Sequence, residues 1–176
     1  MPVVRQFIQD ASFVLGLLML ALMTGYFFSY AVVIIPALET IPPESAIRAM
    51  DGVSHVIRRP LFAIIFFGAF LFPIAAGLLS AQKQRVAECA LAAALIYGFG
   101  VIAVTFGALL PLNTALATAH AAGQPAAEVW RHYSGPWQMW NLIRLASGLA
   151  AFIIAMAGFA LRHRSRLPVS AKMTER

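Results

Sequence analysis

The stretch ASFVLGLLMLALMTGYFFSYAVVII, residues 11–35, contains no Asp, Glu, Lys or Arg. A helix needs about 20 apolar residues to cross the hydrocarbon core of a bilayer, so this run is long enough to span one. It is far longer than the ~7–15 residues of a signal-peptide core, and Arg5 is the only basic residue ahead of it. Three more apolar runs follow, at residues 60–80, 86–110 and 137–161. The whole chain agrees: 61% of its 176 residues are hydrophobic and 11% are charged, against about 45–50% and about 25% in a soluble domain. The expected architecture is all-α, a transmembrane four-helix bundle.

Prolines mark the expected helix ends. Pro36 follows the first run, Pro60 opens the second, Pro111 closes the third and Ser134-Gly135-Pro136 leads into the fourth. Proline is tolerated in a first helical turn, where its missing N–H would be unpaired anyway. Pro73, inside the second run, is expected to kink that helix. The tight connection at residues 81–85 makes neighbouring helices antiparallel, which gives an up-down order. One side of the membrane then holds Arg5, Lys83, Arg85, Arg162, Arg164, Arg166, Lys172 and Arg176, and the other Arg48, Arg58, Arg59, Arg131 and Arg144. This eight-to-five bias places both termini in the cytoplasm of a cell (inner) membrane. Residues 1–165 read as one membrane domain and 166–176 as a basic cytoplasmic tail.

The two outer connections, 36–59 and 111–136, are longer than the ~12–15 residues of ordinary loops, so each is expected to carry structure of its own. In the first, Pro42 and Pro43 start a short amphipathic helix whose inward face is Ala46, Met50, Val53 and Ile57. The second reads as one or two short helices broken at Gly123-Gln124-Pro125. Stripes of small residues suggest close helix contacts: Ala21, Gly25 and Ser29 in the first run, Gly100, Ala103 and Gly107 in the third, and Ser147, Ala151 and Ala155 in the fourth.

Several chemistries find no support. The net charge of +6 lies in loops and the C-terminal segment, where it sets topology; no basic stripe interleaved with aromatics points to nucleic acid. The single Cys89 rules out an intrachain disulfide and any CxxC site, and reads as a small packing residue. His55, His120, His132 and His163 have no metal-ligand spacing, so no metal is expected. There is no GxSxG motif, phosphate loop or dinucleotide fingerprint.

Polar residues gather at one end instead. Trp137, Trp140, Asn141 and Arg144 follow i, i+3, i+4, i+7 and so share a helical face. Arg144 lies about 10 Å below Trp137 at ~1.5 Å per residue. A charge at such depth is expensive and usually faces a bundle interior or wet cavity; the other reading is an arginine that snorkels to the interface beside a tryptophan belt. Asn141, on the same face, has no such reach. Asn113, Tyr26 and Tyr30 approach the same level from other helices, and His55, Arg58 and Arg59 come from the first outer connection. No Asp or Glu lies in the four runs, so the partner of Arg144 is expected to be Glu39, Asp51 or an anionic ligand.

The segments GYFFSYAVVIIPALETIPPESAIRAM, RRPLFAIIFFGA, LLPLNTAL and VWRHYSGPWQMWNLIR resemble, in that order, the anthrone oxygenase-like family, DUF1772. The most specific elements are Pro111-Leu112-Asn113 and the pattern Trp130, Trp137, Trp140-Asn141, Arg144. The resemblance implies a small four-helix membrane protein and a cofactor-independent oxidation of an aromatic or quinone-like molecule. Trp137 and Trp140 would stack on the substrate, with Tyr26, Tyr30 and Arg59 around it. Arg144, Asn141 and Asn113 would stabilise an enolate or phenolate. Two positions depart from the family pattern: Thr114 where many members carry an acid or amide, and Leu142 where many carry a histidine. If that histidine is the base of oxygenase members, His55 is the substitute here. The rival reading is a non-catalytic membrane protein that binds a lipid or hydrophobic small molecule, or an assembly partner. The partners implied are the bilayer and a hydrophobic or aromatic small molecule, with a homo-oligomer as a further option.

Overall fold

The computed structural model describes residues Pro2–Arg164; the basic tail expected at 166–176 lies outside them. Among the described residues four helices are long and apolar enough to cross a membrane: α1 (Val3–Leu38), α3 (Pro60–Leu79), α4 (Gln84–Ala121) and α5 (Ala126–Arg164). The amphipathic helix of the first long connection is α2 (Pro43–Val56). The protein is therefore an all-α, multi-pass membrane protein. α1 and α4 each pack against both α3 and α5, so sequence neighbours touch and the ring closes between α1 and α5. This is the expected up-down order. The start of α1, the end of α5 and the tight turn after α3 share one end, the terminal end; α2 and the α4–α5 turn share the other, the cap end.

The spans run further than the apolar runs. α4 has 38 residues, about 57 Å at ~1.5 Å per residue, against a hydrocarbon core of about 30 Å. Residues 111–121 and 126–136 are helical, and the chain breaks at Gly123 in a left-handed conformation (φ 71°). They are continuous with the spans, however, so the end of α4 and the start of α5 are not separate cap helices. Pro111 does not end a helix, and Ser134-Gly135-Pro136 does not open one. The cause is that apolarity stops where lipid stops, whereas helical backbone continues wherever propensity allows, as in the alanine-rich stretches beside Gly123. Pro36 and Pro111 are each accommodated two residues after a wider, π-type turn, Tyr30–Ile34 and Thr105–Leu109. Such a turn shifts the carbonyl register, which relieves the clash between a proline ring and the carbonyl four residues back.

Packing runs in three layers. At the cap end, Ala46, Ile47 and Met50 of α2 bury against Ile35, Leu109, Leu116, Trp130, Tyr133 and Trp137. Leu20, Met23, Phe27, Phe66, Tyr97 and Val101 fill the middle with Ala151 and Ala155. Phe13, Ala76, Val86 and Ala90 close the terminal end. Of the small-residue stripes, the one on α5 packs: a methyl on Gly100 would lie 2.3 Å from Ser147 Cβ, so glycine is what lets α4 and α5 approach there. Ala21, Gly25 and Ser29 are instead exposed; α1 makes its close contact through Gly16, against the Pro73 ring.

Charge at the terminal end is also arranged otherwise than expected. Arg162 is not part of a solvated tail. It is 2% exposed, donates from Nε to Asp10 Oδ1 at 2.6 Å, and donates from a terminal nitrogen to the Gln6 carbonyl at 3.2 Å. Asp10 lies within α1 because that helix starts well before residue 11. Beside this pair, Gln9 bonds the Ser80 hydroxyl and Arg5 donates to the Leu79 carbonyl, capping the end of α3.

Candidate functional site

Arg144 is 6% exposed and faces the inside of the ring, whereas Met139, Leu142 and Ile143 on the same stretch of α5 face outward. It therefore does not snorkel. One terminal nitrogen donates to Asn141 Oδ1 at 2.8 Å and the other to Thr105 Oγ1 at 3.4 Å. The guanidinium carbon sits 4.5 Å from the Phe27 ring centroid and 5.6 Å from that of Trp137, within cation–π range of both. Among the described residues no carboxylate lies within 4.0 Å of it. The expected partners are elsewhere: Glu39 is exposed, and Asp51 pairs with His55 at 3.7 Å. Neutral acceptors and aromatic faces surround the charge in place of a counter-ion.

The supports of Arg144 are fixed by main chain. Asn141, fully buried, donates from Nδ2 to the Phe27 carbonyl at 3.0 Å, and Gln138 donates to the Ala31 carbonyl at 2.8 Å. Both acceptors flank the start of the π-type turn of α1, where the change of register leaves carbonyls short of donors. Thr105 opens another such turn on α4, just after a π-type stretch at Gly98–Ala103. The irregular turns at Tyr30–Ile34 and Thr105–Leu109 thus bracket the arginine, and Asn141 uses both ends of its amide to hold it in place.

An aromatic wall rises from here toward the cap. Tyr30 lies 5.1 Å from Trp137 between ring centroids, Tyr26 5.0 Å from Tyr30, Tyr133 6.5 Å from Trp137 and Trp130 5.8 Å from Tyr133. Tyr133 donates its hydroxyl proton to Asn113 Oδ1 at 2.8 Å, and Tyr97 donates to the Phe66 carbonyl at 3.1 Å. Among the described residues three buried side-chain N–H groups have no protein partner, Arg144 Nε and the indole N–H groups of Trp137 and Trp130. Buried N–H groups are nearly always bonded, so three in one wall mark it as unusual.

The structure brings together Arg144, Asn141, Trp137, Tyr26 and Tyr30, with Asn113 one step away through Tyr133. Trp140 is half-buried against the cap core. His55 and Arg59 are not brought in. The His55 side chain is 67% exposed, five residues past buried Met50 and so roughly 140° around α2 from it; Arg59 is exposed at the start of α3. An open groove of about 790 Å³ runs along Phe106, Leu110, Pro111 and Thr114 on the outward side of α4, but no charged residue lines it. Among the described residues no cluster of His, Cys, Asp and Glu could hold a metal ion.

Residues 56–154, more than half of the chain, match the family model for anthrone oxygenase. The chain belongs to the anthrone oxygenase family. No curated protein and no solved structure matches it. The segment matched to the family holds α3, α4 and most of α5, and with them Thr105, Asn113, Tyr133, Trp137, Asn141 and Arg144; Phe27, Tyr26 and Tyr30 of α1 lie before it. Leu142, one of the two departures from the family pattern, is 48% exposed and points away from Arg144. Thr114 is exposed too, so neither departure alters the interior wall.

Three residues of the site escape a reading of apolar runs. Tyr133 falls in what looks like a loop, yet it stands four residues before Trp137 and eleven before Arg144. Carrying the helix back through Pro136 would have put all three on one face. Thr105 looks like a lone hydroxyl in mid-span. Phe27 contributes a carbonyl and a ring face, neither of which a sequence marks.

Proposed function

We propose that this anthrone oxygenase family member oxidises a hydrophobic aromatic substrate of the anthrone class, without a cofactor, in the Arg144 wall. The observation that carries the reading is a buried guanidinium with no carboxylate partner, whose Nε stands unpaired beside the equally unpaired indole N–H of Trp137. An anthrone that loses a proton from its CH₂ becomes a phenolate, and a fixed cation in a low-dielectric site stabilises the charge as it develops. The electron-rich ring then reduces O₂. Overall the CH₂ carbon and O₂ give C=O and H₂O; carbon loses four electrons and oxygen gains four. Trp137 and Tyr30 offer ring faces for stacking. Asn141 acts as a positioning residue, since its amide is engaged with Arg144 and α1. With His55 on the surface, the wall itself supplies no base: the CH₂ proton passes to solvent hydroxide, Arg144 holds the resulting phenolate, and Tyr133, bonded to Asn113, positions the ring.

The test is direct. Detergent-purified protein given an anthrone in air is expected to form the anthraquinone with one O₂ consumed per substrate, with chelator and without added cofactor. A rate equal to spontaneous oxidation, with saturable binding of the anthrone, leaves the non-catalytic binder; the grip of Asn141 and Gln138 on α1 favours that second reading. Neither binding nor turnover removes both.

The orientation belongs to the same proposal. The Lys and Arg bias places both termini in the cytoplasm and the cap end on the opposite side. A C-terminal reporter that fluoresces only in the cytoplasm is expected to be bright. A dark, stably expressed fusion reverses the orientation and moves the Arg144 wall to the cytoplasmic half.

A further inference from the structure

The seams of the ring are not closed alike at the level of Arg144. Asn141 and Gln138 tie α5 to the main chain of α1. Gly100 lets α4 approach Ser147 of α5, and α1 meets α3 through Tyr26 and Phe62, whose ring centroids are 5.3 Å apart. The α3–α4 seam differs. α3 packs closely against the first part of α4, Gln84–Tyr97, but has little backbone contact with the π-type stretches that follow, Gly98–Ala103 and Thr105–Leu109. Turns of this kind re-aim a helix, so the two axes part where they begin. Thr105, which accepts from Arg144, lies on the parted stretch. A pair of stacked rings bridges the gap: the centroids of Phe67 and Phe106 are 6.5 Å apart, with an interplanar angle of 25°. These rings are 41% and 52% exposed, and a methyl on neighbouring Gly107 would meet nothing within 4 Å. The outer side of this seam therefore faces lipid.

We propose that the hydrophobic aromatic ligand reaches the Arg144 wall sideways from the bilayer, between α3 and α4, with Phe67 and Phe106 as its gate. The inference rests on the reading of that wall as the site of a fused-ring molecule. Several observations meet at Phe106. It is the chain neighbour of Thr105, the hydroxyl that Arg144 engages. Its ring closes the parted seam. It also forms one end of the open groove of about 790 Å³ along α4, whose volume suits a fused-ring molecule held outside the gate. The cap offers no comparable way in. There α2 lays Ala46, Ile47 and Met50, none more than 2% exposed, over Trp130, Tyr133 and Trp137. An apolar ligand is also far more concentrated in hydrocarbon than in the water outside α2. Half-exposed rings swing by side-chain rotation alone, so the gate opens without moving a helix.

The experiment uses the full chain in phosphatidylcholine vesicles, with unsubstituted anthraquinone as the probe, so that binding is read without turnover. All three tryptophans, Trp130, Trp137 and Trp140, belong to the wall or pack beside it. Quenching of their fluorescence in stopped flow therefore reports arrival of the probe. Phe67→Ala and Phe106→Ala, both at lipid-exposed positions, are each expected to raise the association and dissociation rates alike, by about fivefold, the usual worth of one aromatic pair. Phe106→Trp is expected to slow both. Kd is expected to stay unchanged, since a gate alters the barrier and not the bound state. A Kd that changes through dissociation alone makes Phe106 part of the binding site and overturns the gate. Unchanged rates in both alanine variants, with normal melting, overturn it too. So do rates that rise only in Glu44→Gln, which loses the 3.5 Å pair between α2 and His120 of α4; the entrance then lies under the cap. Absence of saturable quenching in the unaltered protein removes the wall as a ligand site, and the gate with it. Gated rates without turnover of an anthrone in air support the gate and remove only the oxidation.

Discussion

Arg144→Leu is expected to lower turnover of an anthrone-class substrate roughly 100- to 1,000-fold, the usual effect of losing one group that stabilises a developing oxyanion. The same change is expected to leave melting in detergent nearly unaltered. Two terms oppose each other in the fold. Leucine leaves the buried Asn141 Oδ1 without its 2.8 Å donor, which costs about 1–3 kcal/mol. It also removes a buried cation that has no carboxylate within 4.0 Å, and replacing buried charge by an apolar group of similar volume is often neutral or stabilising. Arg144→Lys separates charge from shape. Lysine keeps the cation but has no planar fork to engage Asn141 and Thr105 together. Turnover is expected to fall by an intermediate factor, with KM moving less than kcat because stabilisation of the transition state is what is lost. Melting and turnover are measured on one sample. Full turnover in a folded Arg144→Leu protein ends the proposed role; a collapse of melting with no folded fraction would show instead that Arg144 pins the helices.

The bundle was legible because membrane spans announce themselves by length and apolarity, and four runs leave few arrangements. The inward face at Trp137, Asn141 and Arg144 was legible because a helical period relates them. What was not legible has definite causes. The short helices of residues 111–136 were read as separate from the spans at Pro111 and Pro136; for Pro111 the reason is that a sequence does not reveal the π-type turn that makes room for its ring. Tyr133 was lost with that segment. His55 was drawn toward the site by its closeness in sequence to Arg58 and Arg59, yet the face of α2 that buries Ala46, Ile47 and Met50 turns it to the surface. The acceptors that hold Asn141 and Gln138 are main-chain carbonyls, which every residue carries and no residue type signals.

Asp10→Ala is expected to be strongly destabilising, and the partner substitution Arg162→Met to cost clearly less. The pair is asymmetric. The Arg162 side chain is 2% exposed, whereas that of Asp10 is 31% exposed. Removing the acid takes the 2.6 Å carboxylate from a buried guanidinium, and breaking a buried pair in this way costs about 3–5 kcal/mol. Removing the arginine leaves a carboxylate that can turn toward solvent, while methionine refills the volume. The double variant Asp10→Ala/Arg162→Met is expected to recover most of the loss, because the single acid variant loses the carboxylate paired with a buried cation and the double variant removes that cation too. Additive losses, with a coupling below about 0.5 kcal/mol, would show two independent sites and refute the pair as a closing element. A stabilised double variant would mean that the pair is retained for register between α1 and α5, and not for stability. Thermal unfolding of the four proteins in one detergent decides among these outcomes. The location makes the effect large: α1 and α5 are the first and last helices, so no chain connection joins them, and Arg162 with Asp10 and Gln6 is the polar clasp that closes the ring at the terminal end.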